Sequence, residues 1–270
     1  MNMLQKIIAH KRKEVEQRQA LYPVALLERS IFFDTPVVSL RKYLQRTDRL
    51  GIIAEFKRRS PSRGVINAYA DVEQVTIGYM QAGASALSVL TDEHFFGGRN
   101  EDLQTARKFN YCPILRKDFV ISEYQIVEAR SIGADAILLI AAALQPGETR
   151  RLAAFAHSLG LEVLLELHDE SELGHLDEHI DVVGINNRNL ADFSVDTDTS
   201  LRLLPHLPKE MAKISESGLQ DPATVAHLKT AGFDGFLIGE GFMKHARPEL
   251  ACREFIKAVQ TNLKEAVSAS

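Results

Sequence analysis

Three stretches of the chain say nearly the same thing: AGASALSVL (82–90), IGADAILLI (132–140) and AGFDGFLIG (231–239). Each reads as a helix end, a glycine, and a short run that is apolar at almost every position. Glycine suits the left-handed residue that stops a helix. A strand apolar on both faces must be covered on both faces, which points to parallel strands joined by helical crossovers.

The same unit recurs along most of the chain. Runs too short for helices appear as IIAEF (52–56), ALSVL (86–90), PILRKDF (113–119), AILLI (136–140), EVLLEL (162–167), VVGIN (182–186), AKISES (212–217) and GFLIG (235–239). Helix-period segments such as SEYQIVEARSIGA and DPATVAHLKTAGF separate them. Ser122, Thr91-Asp92, Asp169 and Asp221-Pro222 stand where N-caps or a first-turn proline belong. Gly83, Gly133, Gly160 and Gly232 stand just past the helices. Eight such units predict an α/β fold, a single (β/α)8 TIM barrel, and no GxGxxG follows the first strand to suggest a dinucleotide fold. Residues 1–50 are then an N-terminal helical extension packed on the barrel, and 51–270 the barrel itself, in one structural domain.

Composition narrows the partners. The 32 basic and 36 acidic residues of the 270 leave no positive excess for nucleic acid. No stretch approaches the roughly 18 apolar residues of a membrane span. The first helix carries Leu4, Ile7, Ile8 and Val15 on one stripe, with Lys, Arg and Glu assigned to the other side, and lacks a secretory cleavage pattern. Cys112 and Cys252 are far apart and no His or Cys cluster has metal-ligand spacing, so reduced thiols, no metal and a cytoplasmic location are expected.

In such a barrel the active site gathers at the C-terminal strand ends. Those ends read Glu55/Lys57, Thr91/Asp92, Lys117/Asp118, Ala141 to Ala143, Glu166, Asn186/Arg188, Ser215/Glu216/Ser217 and Gly239/Glu240. Glu55, Lys57, Lys117 and Glu166 follow strongly apolar runs, where a lone charge is costly to desolvate. Strand alternation aligns Leu115 with Lys117, Glu55 with Lys57, and Leu164 with Glu166. Two charges of each sign meeting there can serve general acid–base chemistry.

SESG (215–218) and IGEG (238–241) place glycines after the seventh and eighth strands, where backbone N–H groups commonly hold a phosphate. The loop KRRSPSRGVINAYAD (57–71) is longer than the usual connection of about 2–6 residues. Its four basic residues from Lys57 to Arg63 suit a cover for an anionic substrate.

Taken in order, EFKRRSPSRG (55–64), SVLTD and FFGG (88–98), LRKDF (115–119), LLELHD (164–169), GINNRNL (184–190), SESG (215–218) and IGEGFM (238–243) resemble the indole-3-glycerol phosphate synthases over about residues 1–265. That resemblance implies ring closure, decarboxylation and dehydration of 1-(2-carboxyphenylamino)-1-deoxyribulose 5-phosphate, without a cofactor, in tryptophan biosynthesis. It implies Lys117 as general acid, Glu166 as the carboxyl group of dehydration, and Glu55 with Lys57 as the pair tuning them. Ser60 and Asn186 resemble substrate-binding residues and Arg188 one that orients the carboxylates. Ser217, Gly218, Gly239 and Glu240 fall where the family holds phosphate. Phe95, Phe96, Phe119, Leu138 and Leu190 are candidates for walling the aromatic ring. Arg99 departs from the Ser or Thr of many relatives, and Glu240 or Gly241 from a Ser in others. The expected partner is a small phosphorylated substrate, with no fused isomerase barrel and a monomer as default. Competing readings are a Schiff-base aldolase using Lys117 or Lys57, and a non-catalytic barrel that binds a phosphorylated ligand.

Overall fold

The computed structural model describes residues 2–189 and 194–268. Each predicted apolar run is a strand: β1 (Ile52–Phe56), β2 (Ala86–Leu90), β3 (Ile114–Lys117), β4 (Ala136–Ile140), β5 (Glu162–Leu167), β6 (Val182–Asn186), β7 (Ala212–Glu216) and β8 (Gly235–Ile238). Neighbours pair in parallel, and β8 pairs with β1 to close the barrel. The fold is therefore the (β/α)8 barrel. Gly83, Gly133, Gly160 and Gly232 all have positive φ, as their place after the helices requires. Asp92 and Asp221 accept N-cap hydrogen bonds, whereas Ser122 occupies a cap position without one.

The alternation of each strand sorts two cores. Ile53, Leu115, Leu138, Leu164, Val182, Ile214 and Leu237 fill the barrel, while Ile52, Leu87, Ile137 and Val163 pack beneath the helices. One step further along the inward faces come Glu55, Lys117, Glu166 and Glu216. The apolar interior thus ends in a layer of charge.

The extension closes both ends. Near β1 the short helix Leu40–Leu44 inserts Leu40 and Leu44, both fully buried, into the interior cluster. Truncating such a leucine to alanine costs about 2–5 kcal/mol. Ser39 and the Arg41 amide bind the Glu162 carboxylate at the start of β5, which fixes this plug.

Helix α1 (Met3–Leu21) crosses the opposite end. Its buried stripe is Ile7, Lys11 and Val15. Lys11 departs from the expected division of this helix, in which Lys, Arg and Glu lie opposite the apolar stripe. Its ammonium lies 2.9 Å from Asp92, 2.9 Å from Asp118 and 3.0 Å from Glu14, enough opposite charge to offset burial and raise its pKa. Arg18 pairs with Glu128 at 2.6 Å and gives the helix a second anchor. Among the described residues, no helix is long and apolar enough to cross a membrane.

Candidate active site

A cavity opens at the C-terminal ends of the strands, under α1. Of the site residues expected from the sequence, Glu55, Lys57, Ser60, Lys117, Phe119, Leu138, Glu166, Asn186, Arg188, Ser217, Gly218, Gly239 and Glu240 line it. Met3, Leu4 and Ile7 of α1 form part of its wall. They escaped the sequence reading because an amphipathic helix does not show which surface it covers.

Lys117, at the end of β3, is the centre of the polar layer. Its Nζ stands 2.9 Å from Glu166 Oε2 on β5 and 2.6 Å from Glu216 Oε2 on β7. Burial disfavours the ammonium, but Glu166, Glu216 and Glu55 together raise its pKa, so it stays protonated. Glu166 also accepts from Asn186 Nδ2 at 3.0 Å, and Asn186 is itself held by the Arg188 main-chain N–H. Burial opposes ionisation of Glu166, yet Lys117 and then His168 hold its carboxyl below the usual range. Lys57 forms a second pair with Glu55 at 2.7 Å.

Glu216 is the residue the sequence reading passed over. It sits among the strand-end polar residues, but between two serines, in a context that suggested a phosphate loop. The signal was present in the alternation Ala212, Ile214, Glu216, which points all three inward. Room for its carboxylate comes from Gly184 on β6, where a Cβ would collide with it. Burial raises the Glu216 pKa, Lys117 lowers it and Glu166 raises it again, to about 7.

At the other side of the cavity, Ser217 and Gly218 both have positive φ. Ser217 is the one non-glycine with this conformation among the described residues, an arrangement that carries strain. Gly239 begins the turn Glu240–Met243, and a Cβ on it would meet the Glu55 carboxylate. Glu240 turns its carboxylate to Arg63 at 3.0 Å and to Arg188 at 3.9 Å.

Two expectations need correction. Of the four basic residues in the first loop, Arg58 turns away to Asp102 at 2.5 Å, and Arg59 binds the carbonyls of His94 and Phe95. Both satisfy buried or main-chain acceptors instead of facing the cavity. Phe95 also leaves the expected ring wall and packs edge-on against His10, with centroids 5.6 Å apart, while Phe96 and Phe119 remain in the cavity. Leu190 lies outside the described residues.

The closed parallel sheet and the charged layer at its strand ends define a (β/α)8 enzyme. A sequence model described as indole-3-glycerol phosphate synthase matches residues 4–255. Proteins of that name are similar over nearly the whole chain. The one from Bacteroides thetaiotaomicron is 49% identical over 96% of this chain and 99% of its own length. That from Chlorobium luteolum is 45% identical over 89% and 93%, and that from Campylobacter jejuni 40% over 90% and 95%. The chain belongs to the indole-3-glycerol phosphate synthase family. Among solved structures, the tryptophan synthase subunit alpha from Legionella pneumophila aligns with a TM-score of 0.60 at 13% identity, covering 87% of this chain and 98% of that one. A likeness at that identity speaks for the barrel fold alone.

Proposed function

We propose that this cavity converts 1-(2-carboxyphenylamino)-1-deoxyribulose 5-phosphate into indole-3-glycerol phosphate, carbon dioxide and water, the family's step in tryptophan biosynthesis. The observation that carries this reading is the protonated Lys117 held between Glu166 and Glu216 at the mouth of an apolar barrel. A lysine kept as an ammonium suits proton donation; a Schiff-base lysine must reach the neutral amine to attack.

The ring carbon bearing the carboxylate attacks the ketone carbon, and Lys117 gives a proton to the ketone oxygen, which becomes a hydroxyl. Carbon dioxide then leaves, and the electrons of its bond restore the aromatic ring. The hydroxyl takes a second proton and departs as water, while a carbon-bound proton passes to a carboxylate. Glu166 is assigned to this dehydration, as acid or base. Lys57 with Glu55 tunes the network and meets the anionic groups of the substrate. Asn186 and Ser60 position substrate, and Arg188 orients Glu166 through Asn186. Phe96, Phe119 and Leu138 receive the aromatic ring. The phosphate is placed at Ser217, Gly218, Gly239 and Glu240, held by main-chain N–H groups, with the Glu240 side chain drawn aside to Arg63. Helix α1 excludes water from above, which strengthens every charge interaction within.

The chain contains no Trp, so indole fluorescence from the product appears without a tryptophan background. Mixing the protein with the carboxyphenylaminodeoxyribulose phosphate gives a rising indole signal. No signal between about pH 6 and about pH 9, the range over which a general acid–base pair operates, would overturn the reading. Borohydride added with substrate traps no covalent adduct, whereas an aldolase would yield one.

A further inference from the structure

Beyond the end of β5, Glu166 is joined to a second acid through an imidazole. His168 follows Glu166 by two residues and so lies on the same side of the chain. Its Nε2 is 3.3 Å from Glu166 Oε1, and its Nδ1 is 3.3 Å from Glu172 Oε2. The His168 main-chain N–H donates to the same Glu172 oxygen at 2.6 Å, which fixes the acid against the ring. Glu172 belongs to the turn Glu170–His175 and is not among the residues lining the cavity.

The ring's protonation follows from its neighbours. A neutral imidazole offers one donor and one acceptor, so with an ionised carboxylate at each nitrogen one lone pair would face an anion. An imidazolium instead turns positive charge to both acids: its Nδ1 bonds Glu172, and its Nε2, which makes no hydrogen bond of its own, meets Glu166 at ion-pair distance.

We propose that His168 is a positioning residue that works as an imidazolium to hold Glu166 in its ionised form, and that Glu172 is the outer acid that keeps His168 charged. The proposal rests on the reading of Glu166 as the acid–base carboxyl group and extends it to residues outside the cavity.

The surroundings of the ring support it. From β6, Asn186 reaches the same Glu166 oxygen as a neutral amide, and from β3, Lys117 holds the other oxygen. The Ala141–Ala143 turn beside β5 brings no titratable group. Helix Pro146–Ser158, packed on the same turn as Glu172, directs Arg150 to Asp177, Arg151 to Glu123 and Thr149 to His175. The charges acting on His168 are therefore Glu166 and Glu172. Burial lowers its pKa, the two acids outweigh that, and it is pushed up to about 10.

The discriminating variant is Glu172→Gln, read by the pH profile of kcat/KM. Loss of the outer acid should bring on an alkaline decline about 1–3 pH units earlier than in the wild type, with the plateau at lower pH retained. His168→Gln keeps a polar side chain beside Glu166 but removes the charge, and should move the acidic limb up by about 1–3 units. Adding Glu172→Gln to it should then change nothing. A Glu172→Gln profile that superimposes on the wild type would overturn the proposal, as would a His168→Gln loss equal at every pH. The imidazole resonances of His168 report the same titration without turnover, and should fall by a similar amount in Glu172→Gln. An active Glu166→Gln enzyme would strike the reading of Glu166, while those resonances still decide the His168–Glu172 pair.

Discussion

The ammonium of Lys11, on the helix that precedes the barrel, lies 2.9 Å from Asp118, the neighbour in sequence of Lys117. Asp118 in turn accepts from Thr91 Oγ1 at 2.6 Å and pairs with Arg116, which reaches Glu128 and, through it, Arg18 of the same helix. The covering helix and the strand that presents Lys117 are thus tied by one buried ionic network.

Removing one partner from a buried pair leaves the others uncompensated. Lys11→Met should cost about 3–5 kcal/mol in urea unfolding. It should also raise KM more than it lowers kcat, because Met3, Leu4 and Ile7 ride on the same helix into the cavity wall. An unchanged unfolding midpoint would show that the pairing contributes nothing.

Lys117→Ala and Glu166→Gln should each lower turnover by about 10²-fold or more, the scale of a general acid–base contribution. Circular dichroism should show both folded. Near-normal turnover in either variant would remove that residue from the mechanism.

Glu216 predicts a stability slope. An acid with a higher pKa folded than unfolded binds more protons in the native state. Its contribution is therefore present at low pH and lost as pH rises from the ordinary glutamate range through about 7. In Glu216→Gln that decline should flatten between about pH 4.5 and about pH 7, measured by denaturant unfolding at a series of pH values. An identical slope in both proteins would mean that the proton sits elsewhere in the cluster.

The glycines of the proposed phosphate side are sensitive for different reasons. At Gly218, φ is 75° and a Cβ would stand 2.5 Å from Val195 Cγ1, so Gly218→Ala should lose about 1–3 kcal/mol of stability and raise KM. At Gly239 an added methyl group would push on the Glu55 carboxylate, so Gly239→Ala should reduce kcat as well as substrate affinity. Kinetics of the two variants that are indistinguishable from the wild type would exclude both loops from binding.

Most of the barrel was legible in one dimension. A strand covered on both faces must be apolar throughout, and a helix that stops before it needs a cap, so the eight units appear as repeated phrases. The inward register of Glu55, Lys117 and Glu166 was legible too, because alternation along a strand is local. Glu216 obeyed the same rule, but its serine neighbours concealed it. Lys11 had no local signature and reads as a solvated lysine; the spacing of His168 from Glu166 was visible, but Glu172, the acid that fixes its ring, was not.

The sequence by itself determined the element order, the closed parallel sheet and the strand ends where charge collects. These follow from periodicity and from the cost of leaving apolar surface in water, both properties of short segments. Only the tertiary structure decided which charges meet. It set Lys117 between Glu166 and Glu216, residues 49 and 99 positions away, and laid Lys11 against Asp92 and Asp118. Protonation in this site is a property of distances between segments remote in the chain, and Coulomb energies at those distances appear only once the barrel has closed.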